Sequence, residues 1–427
     1  MLRCNNNQEA WEKIFEKYKI VEKISDQGYF IITSKQINDY REARLMTKFD
    51  NSATLPDIFK KNNFSILPIN RGSYIISSFK VYKKFETNNN EIYKIDFPEY
   101  IQSIDFNNIT SESIAINSAY ITKILEDFLE EEGLVPTVNG RMGSGKFKFN
   151  ILRNNKDSLE INVESSQIEI DGGYEGFESL TLIEAKNYIS DDFMVRQLYY
   201  SYRLWKEKIN KPVRTIYLVY SNGIFNLYEY EFKNLNDYNS ITLVKSKRYS
   251  IEDTKIEIND IQDVLSGIKI INEPKISFPQ ADKFDRVINL CELLQDEFKT
   301  KEYITENYAF DKRQTNYYTD AARYLGLVEK CKIEKGTIIF GLTQKGRNIL
   351  NARYKNRQLL LVKTILEHKV FNECINLYFK YSQAPTSDEI VEIMKNNNLY
   401  KVESDSTYKR RASTIRGWIN WILGLIN

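Results

Sequence analysis

The chain has 427 residues, of which 42% are hydrophobic and 28% charged, enough apolar side chains for several packed domains and too many for wholesale disorder. Lys and Arg number 60 against 58 Asp and Glu, so the net charge of +2 points to no class of partner and only local clusters carry information. The single histidine, His368, excludes sites that need two histidines, such as most zinc hydrolase centres, and a Ser-His-Asp or Cys-His scheme has no other histidine to use.

His368 lies in LVKTILEHKVFNECI, which reads as one helix with a buried face, so its expected role is structural. The four cysteines, Cys4, Cys291, Cys331 and Cys374, are far apart and form no CxxC pair, so neither a zinc knuckle nor a disulfide framework is legible. No GxxxxGK[ST] or GxGxxG phosphate loop occurs. The N-terminus has no apolar signal region, and nowhere is there a run of about 18 apolar residues, so a cytoplasmic protein is expected. Carboxylate, lysine and metal chemistry remain open to it.

In chain order, residues 1–95 read as a small winged-helix-like module. QEAWEKIFEKY is an amphipathic helix, GYFIITS and GSYIISSF are strands, and INDYREARLMTKFD between them is a helix or a tight basic segment carrying Arg41, Arg44 and Lys48. Residues 96–270 read as an α/β (α+β) domain with a mixed sheet. SESIAINSAYITKILEDFLEEEG is one long helix, capped by Ser111 or Ser113 and stopped at Gly133. Short strands follow, then a helix in DFMVRQLYYSYRLWKEK and a hairpin turning at Asn222-Gly223. Residues 271–281 hold two prolines and read as a linker. Residues 282–350 give three helices and a two-stranded wing turning at Lys335-Gly336, a winged helix-turn-helix pattern whose third helix is capped by Asp311. Residues 351–427 are helical.

The chemistry concentrates between Gln167 and Asn187, in QIEIDGGYEGFESLTLIEAKN. Residues two apart on a strand share a face, so Glu184 and Lys186 project together while Ala185 points into the core. Asp171 ends the preceding strand, where Gly172-Gly173 lets the chain bend, and if the two strands are neighbours it meets Glu184 beside Lys186. Two close carboxylates repel unless a cation intervenes, and a hard ion with oxygen ligands such as Mg2+ suits them. Such an ion lowers the pKa of a bound water, and a neighbouring lysine stabilises developing charge. Glu169 shares the face of Asp171, and Glu126, Glu130 and Glu131 are candidates for a further carboxylate. The spacing alone is equally the pattern of a solvated surface hairpin.

EIDGGYEG, followed by LIEAKN and DFMVRQLYYSYRLW, resembles the catalytic core of PD-(D/E)XK type II restriction enzymes. Bacterial sequences identified as type II restriction enzymes are similar also in REARLMTKFD, GRMGSGKFKF and FPQADKFDRVINL…TNYYTDAARYLGLVE, so the resemblance spans most of the chain. It implies a restriction-endonuclease-like core flanked by winged helix-turn-helix domains, Asp171 and Glu184 with the Ala185 carbonyl as Mg2+ ligands, and Lys186 as catalytic lysine. Asp171 is followed by Gly and not preceded by Pro, a departure the family tolerates. Gln197, with Tyr200 one turn on, loosely resembles the Gln and Tyr of RecB-like nucleases, at a spacing of three rather than four.

Double-stranded DNA is the expected partner. Arg141 and Lys146 sit in the glycine-rich GRMGSGKFKF, read as a loop near the catalytic strands. Lys312, Arg313, Gln314, Asn316 and Tyr317 open the reading helix, and Lys409, Arg410 and Arg411 form a phosphate-gripping cluster opposite Trp418 and Trp421, which are read as core. One active site cuts one strand, which implies a homodimer or sequential nicking, and a restriction role implies a cognate DNA methyltransferase encoded nearby. The alternatives are a catalytically silent DNA-binding regulator, a repair or junction nuclease of the same fold, and a non-catalytic assembly protein.

Overall fold

The computed structural model describes residues 6–86, 91–308, 310–333 and 336–426. The fold is mixed α and β, and its contacts gather into two compact units. The first holds Met1–Glu91, Ser111–Val219 and Phe225–Arg248; the second holds Ile92–Thr110, Tyr220–Ile224 and Tyr249–Asn427.

The first unit opens with helices Asn7–Tyr18 and Ile20–Gln27, parted at Lys19 by a left-handed residue (φ 50°). Trp11, Phe15 and Phe59 pack edge to face, and the buried Trp11 indole donates to the Met46 carbonyl. Strands Phe30–Thr33, Ser65–Asn70 and Ser73–Ser77 make a three-stranded antiparallel sheet with Ser73–Ser77 in the middle. The Ser65–Asn70 strand, SILPIN, adds a third strand to the two read from the sequence; it lies at the edge, where the N–H that Pro68 lacks costs little. INDYREARLMTKFD forms two short helices, Ser34–Asn38 and Ala43–Met46.

The principal sheet in this unit runs β1 (Val135–Gly143), β2 (Gln167–Glu175), β3 (Leu180–Lys186), β4 (Val213–Ser221), β5 (Ile224–Phe232), β6 (Ile241–Ser250), each beside the next. β1 and β2 are antiparallel, as are β2 and β3, whereas β3 and β4 are parallel, joined through a crossover helix. That makes the sheet mixed, as expected. Asn222 and Gly223 turn β4 into β5 with φ of 52° and 75°, the positive values such a two-residue hairpin demands. Every residue of β3 is buried, as for a strand covered on both faces.

Four expectations change here. The single helix over 111–133 is two, α1 (Glu112–Ile121) and α2 (Ile124–Leu129), divided at Lys123 (φ 66°). Thr122 turns its hydroxyl back to the Ser118 carbonyl at 2.7 Å, a local bond that competes with the helix. GRMGSGKFKF is not a loop: β1 keeps pairing with β2 through Arg141, Met142 and Gly143, and the next strand starts at Lys146. Asp192–Met194, expected inside a helix, pairs as a strand with Tyr82–Lys84, and α3 spans Arg196–Lys208. Finally, β2 runs straight through Gly172-Gly173, which serve close approach and not a bend: a Cβ on Gly173 would meet Val138 Cβ at 2.6 Å.

In the second unit, helices Phe284–Leu293, Lys301–Asn307 and Lys312–Tyr324 accompany a three-stranded sheet that includes Val328–Lys332 and Ile338–Leu342. Asp311 caps the third helix as expected. The expected turn residue Lys335 lies outside the described residues, as does Cys4. The segment 271–281 is built into this unit: Phe278 is buried against Tyr324 and Phe371, and the Ala281 carbonyl accepts from the buried Trp418 indole. LVKTILEHKVFNECI is two helices, Tyr354–Leu366 and Lys369–Tyr381, with His368 between them. His368 is buried, stacks on Tyr324, and burial pushes its pKa down to about 3, which fits a structural histidine.

Because β1 and β2 touch across Gly173, Gly173→Ala is expected to lower the unfolding free energy by about 1–3 kcal/mol through overpacking. Chemical denaturation measures it; an unchanged midpoint would mean that the sheet yields freely there.

Candidate active site

The parallel strand β3 ends in Glu184-Ala185-Lys186, with the end of β2 alongside. Pairing between the two strands runs to Ile183 opposite Gly172, so Asp171 arrives level with Glu184. The Asp171 carboxylate accepts the Ala185 backbone N–H at 2.9 Å. One face of β3 carries Glu184 and Lys186 together, and the Lys186 ammonium donates to Glu184 Oε1 at 2.6 Å and to the Ala185 carbonyl at 2.9 Å. Gln197, from the first turn of α3, donates its amide to the same Glu184 oxygen at 2.5 Å. Asp171, Glu184, Ala185, Lys186 and Gln197 are thus one contiguous group.

Glu184 and Lys186 are only 8% and 7% exposed, which no ion pair tolerates cheaply. Burial pushes the Glu184 carboxyl up to about 8, against the pull of Lys186, and the nearby Asp171 charge adds to the rise. For Lys186 burial works downward, but the charges of Glu184 and Glu112 hold the ammonium protonated, well above its ordinary range. Burial and the Asp171 charge thus work against the Glu184 carboxylate, while the neighbouring carboxylates work for the Lys186 ammonium.

Glu112 was missed from the sequence. It occupies the first turn of α1, behind the Ser111 cap, with its carboxylate 3.8 Å from Lys186 Nζ, and burial raises its pKa. An acidic residue after an N-cap serine is ordinary helix chemistry, so nothing local distinguished it. The candidates further along that segment are occupied elsewhere. Glu131 accepts from the Glu178 and Ser179 N–H groups and the Ser179 hydroxyl, Glu130 pairs with Lys245, and Glu126 pairs with Lys123. Tyr200, buried, donates to the Pro68 carbonyl and packs.

The group lies in a cleft of about 670 Å³ whose lining includes Arg44, Lys48 and Arg141, together with Asp50 and Glu112. Arg141 pairs with Glu169 at 3.2 Å. Lys146 does not line this cleft, and Arg41 donates to Asn7 at 2.8 Å. In the second unit, Lys312, Arg313 and Asn316 are exposed and Tyr317 is half-buried. The Gln314 side-chain oxygen is taken by the Asp311 N–H in the helix cap. Lys409 and Arg410 are exposed on helix Asp405–Leu423, and Arg411 is half-buried, with burial and Arg410 lowering its pKa.

The donors around Glu184 are all hard oxygens: two carboxylates and the Ala185 carbonyl, with neither sulfur nor imidazole. Among the described residues no three acidic, His or Cys side chains stand in a ligating arrangement, so an ion here would take at most two protein carboxylates, the carbonyl and water. Magnesium commonly accepts that set.

Residues 8–76 match the model of a domain of unknown function (DUF6996), 77–250 that of a second (DUF6997) and 286–427 that of a third (DUF7226). No curated protein and no solved structure matches the chain. The cleft draws residues from the stretches of the first two models.

The raised Glu184 pKa sets a sign for stability. Its folded value lies above the ordinary 4.5, so its contribution is fully present below that pH and lost as pH climbs through about 8. Without divalent ions, the parent should lose stability relative to Glu184→Gln across that window. Denaturation curves at several pH values check it; parallel profiles would show that Glu184 titrates normally.

Proposed function

We propose that this chain is a magnesium-dependent DNA endonuclease of the PD-(D/E)XK type, working as a type II restriction enzyme. The observation that carries the reading is the meeting of Asp171 with Glu184 and Lys186 at the end of a buried strand that lines a cleft rimmed by arginine and lysine, with Gln197 on Glu184.

In this reading Asp171, Glu184 and the Ala185 carbonyl hold the Mg2+, which when bound supplies an acidified water and a positive charge for the phosphate. Lys186, kept protonated by its carboxylate neighbours, stabilises charge building on the phosphate oxygens. Gln197 fixes the Glu184 carboxylate by donating to it. Arg44, Lys48 and Arg141 grip the backbone near the cut. In the second unit the helices and three-stranded sheet over 284–342 act as a winged helix-turn-helix reader. There Lys312, Arg313, Asn316 and Tyr317 face DNA, while Lys409, Arg410 and Arg411 hold phosphates without regard to sequence. Cutting both strands then needs a dimer or two successive nicks. A repair or junction nuclease of the same fold is the second reading.

Incubation of the purified protein with phage DNA and Mg2+ decides between them. Discrete bands support the restriction enzyme; cleavage confined to branched or damaged DNA supports the second reading; intact DNA in every case sinks both. Glu184→Ala and Asp171→Ala should abolish cleavage while DNA binding persists. Lys186→Ala should slow it by orders of magnitude with little loss of binding, because its interaction grows in the transition state. A fully active Glu184→Ala enzyme would overturn the assignment.

A further inference from the structure

The cleft has a second wall that the hydrolytic residues do not use. The core contributes the carboxylates, and the opposite side comes from the N-terminal segment, with Asn38, Arg44, Lys48, Asn70, Arg71 and Tyr74. This wall is fastened to the core. Asp192 accepts from the Ser52 N–H at 2.8 Å and its hydroxyl at 2.5 Å, Met194 donates to the Asp50 carbonyl at 2.8 Å, and Tyr200 donates to the Pro68 carbonyl at 3.0 Å. The gap between the walls is therefore set by hydrogen bonds just after Lys48 and just before Asn70.

That gap is narrow. A cleft of about 670 Å³ falls within the ~300–1,000 Å³ that encloses a small ligand. Its two walls offer groups for a phosphate backbone and for a single base.

The side chains match such a guest. Arg44 and Arg141 pair with Glu42 and Glu169 at the surface, contacts that exchange readily for phosphate, and the exposed Lys48 ammonium lies 3.7 Å from the mostly buried Asp50. Arg71 on one wall and Arg196 on the other have no carboxylate partner among the described residues. Asn38 and Asn70 use their side-chain oxygens locally, accepting the Ala43 and Gly72 N–H groups at 2.7 and 2.8 Å, which leaves each NH2 to donate to a base. Tyr74 offers a ring for stacking beside them.

We infer that the cleft takes one unpaired strand of DNA, lifted from its duplex, with phosphates on Arg71, Arg196 and Lys48 and a base stacked on Tyr74 between Asn38 and Asn70. This deepens the nuclease reading and takes the identity of the polymer from it. The strand reaches the Asp171–Glu184–Lys186 group already unstacked, so the N-terminal segment selects what is presented for hydrolysis and is not a separate docking module. Lifting a nucleotide costs a few kcal/mol, least where pairing is already weak.

The test is photo-crosslinking of the full chain in EDTA, where nothing is cleaved. The probe is a short single strand carrying thiothymidine, compared with the same sequence closed into a dumbbell duplex that has no ends to fray. Peptides of the 34–74 stretch, at Lys48 or Tyr74, should be labelled far more by the single strand than by the dumbbell, whose nucleotides must first be lifted from their pairs. Arg71→Ala should weaken single-strand binding roughly tenfold, the size of one charged hydrogen bond, and leave dumbbell binding unchanged, with partial recovery in Arg71→Lys. Equal labelling of this wall by the dumbbell, or single-strand labels confined to 312–317 and 409–411, overturns the inference. The two proposals fail separately: strand-selective labelling without cleavage of any DNA sinks only the nuclease, and Mg2+-dependent cleavage with equal labelling sinks only the unpaired strand.

Discussion

Glu184 and Lys186 are two opposite charges at the end of a strand that the sheet buries on both faces, and the surrounding structure is arranged to make their burial tolerable. A carboxylate and an ammonium leaving water each lose several kcal/mol of hydration, and one contact between them does not restore it. The remaining hydrogen-bonding capacity is met by Gln197 on Glu184 and by the Ala185 carbonyl on Lys186. Asp171 is fixed in turn by the Ala185 N–H, so the three charged groups are referred to one backbone position.

That constraint reaches outward through the elements that carry these partners. Gln197 requires α3 to start where it does, and Asp192–Met194 sets that start by pairing with Tyr82–Lys84. The same Asp192 pins Ser52, so the segment that orders the helix also holds the N-terminal wall of the cleft. Asp171 requires β2 close to β3 and β1 close to β2, and Gly173 permits the second by having no side chain against Val138. Glu112 enters because α1 packs on β2 and β3, and the break at Lys123 allows α2 to bury Leu125, Phe128 and Leu129 in its own direction. Chemistry and packing are therefore not separable here: the residues nearest the site are held by bonds that also close the fold.

The sequence by itself determined the local order of the chain. Alternation placed the strands around Asp171 and Glu184, period two put Glu184 and Lys186 on one face, Asn222-Gly223 marked the hairpin, and Asp311 and the Ser111/Ser113 pair marked helix starts, because each rests on a few adjacent residues. Only the tertiary structure decided whether Gly172-Gly173 bent or packed, whether Arg141 stood in a loop or a strand, and whether helices stayed whole at Lys123 and His368. Those outcomes depend on which distant backbone comes alongside, and pairing partners override local preference. It also decided the composition of the cleft. Glu112, Asp50 and Arg71 carry no motif, since a charge becomes a site residue through burial and neighbours, and both are properties of the folded chain.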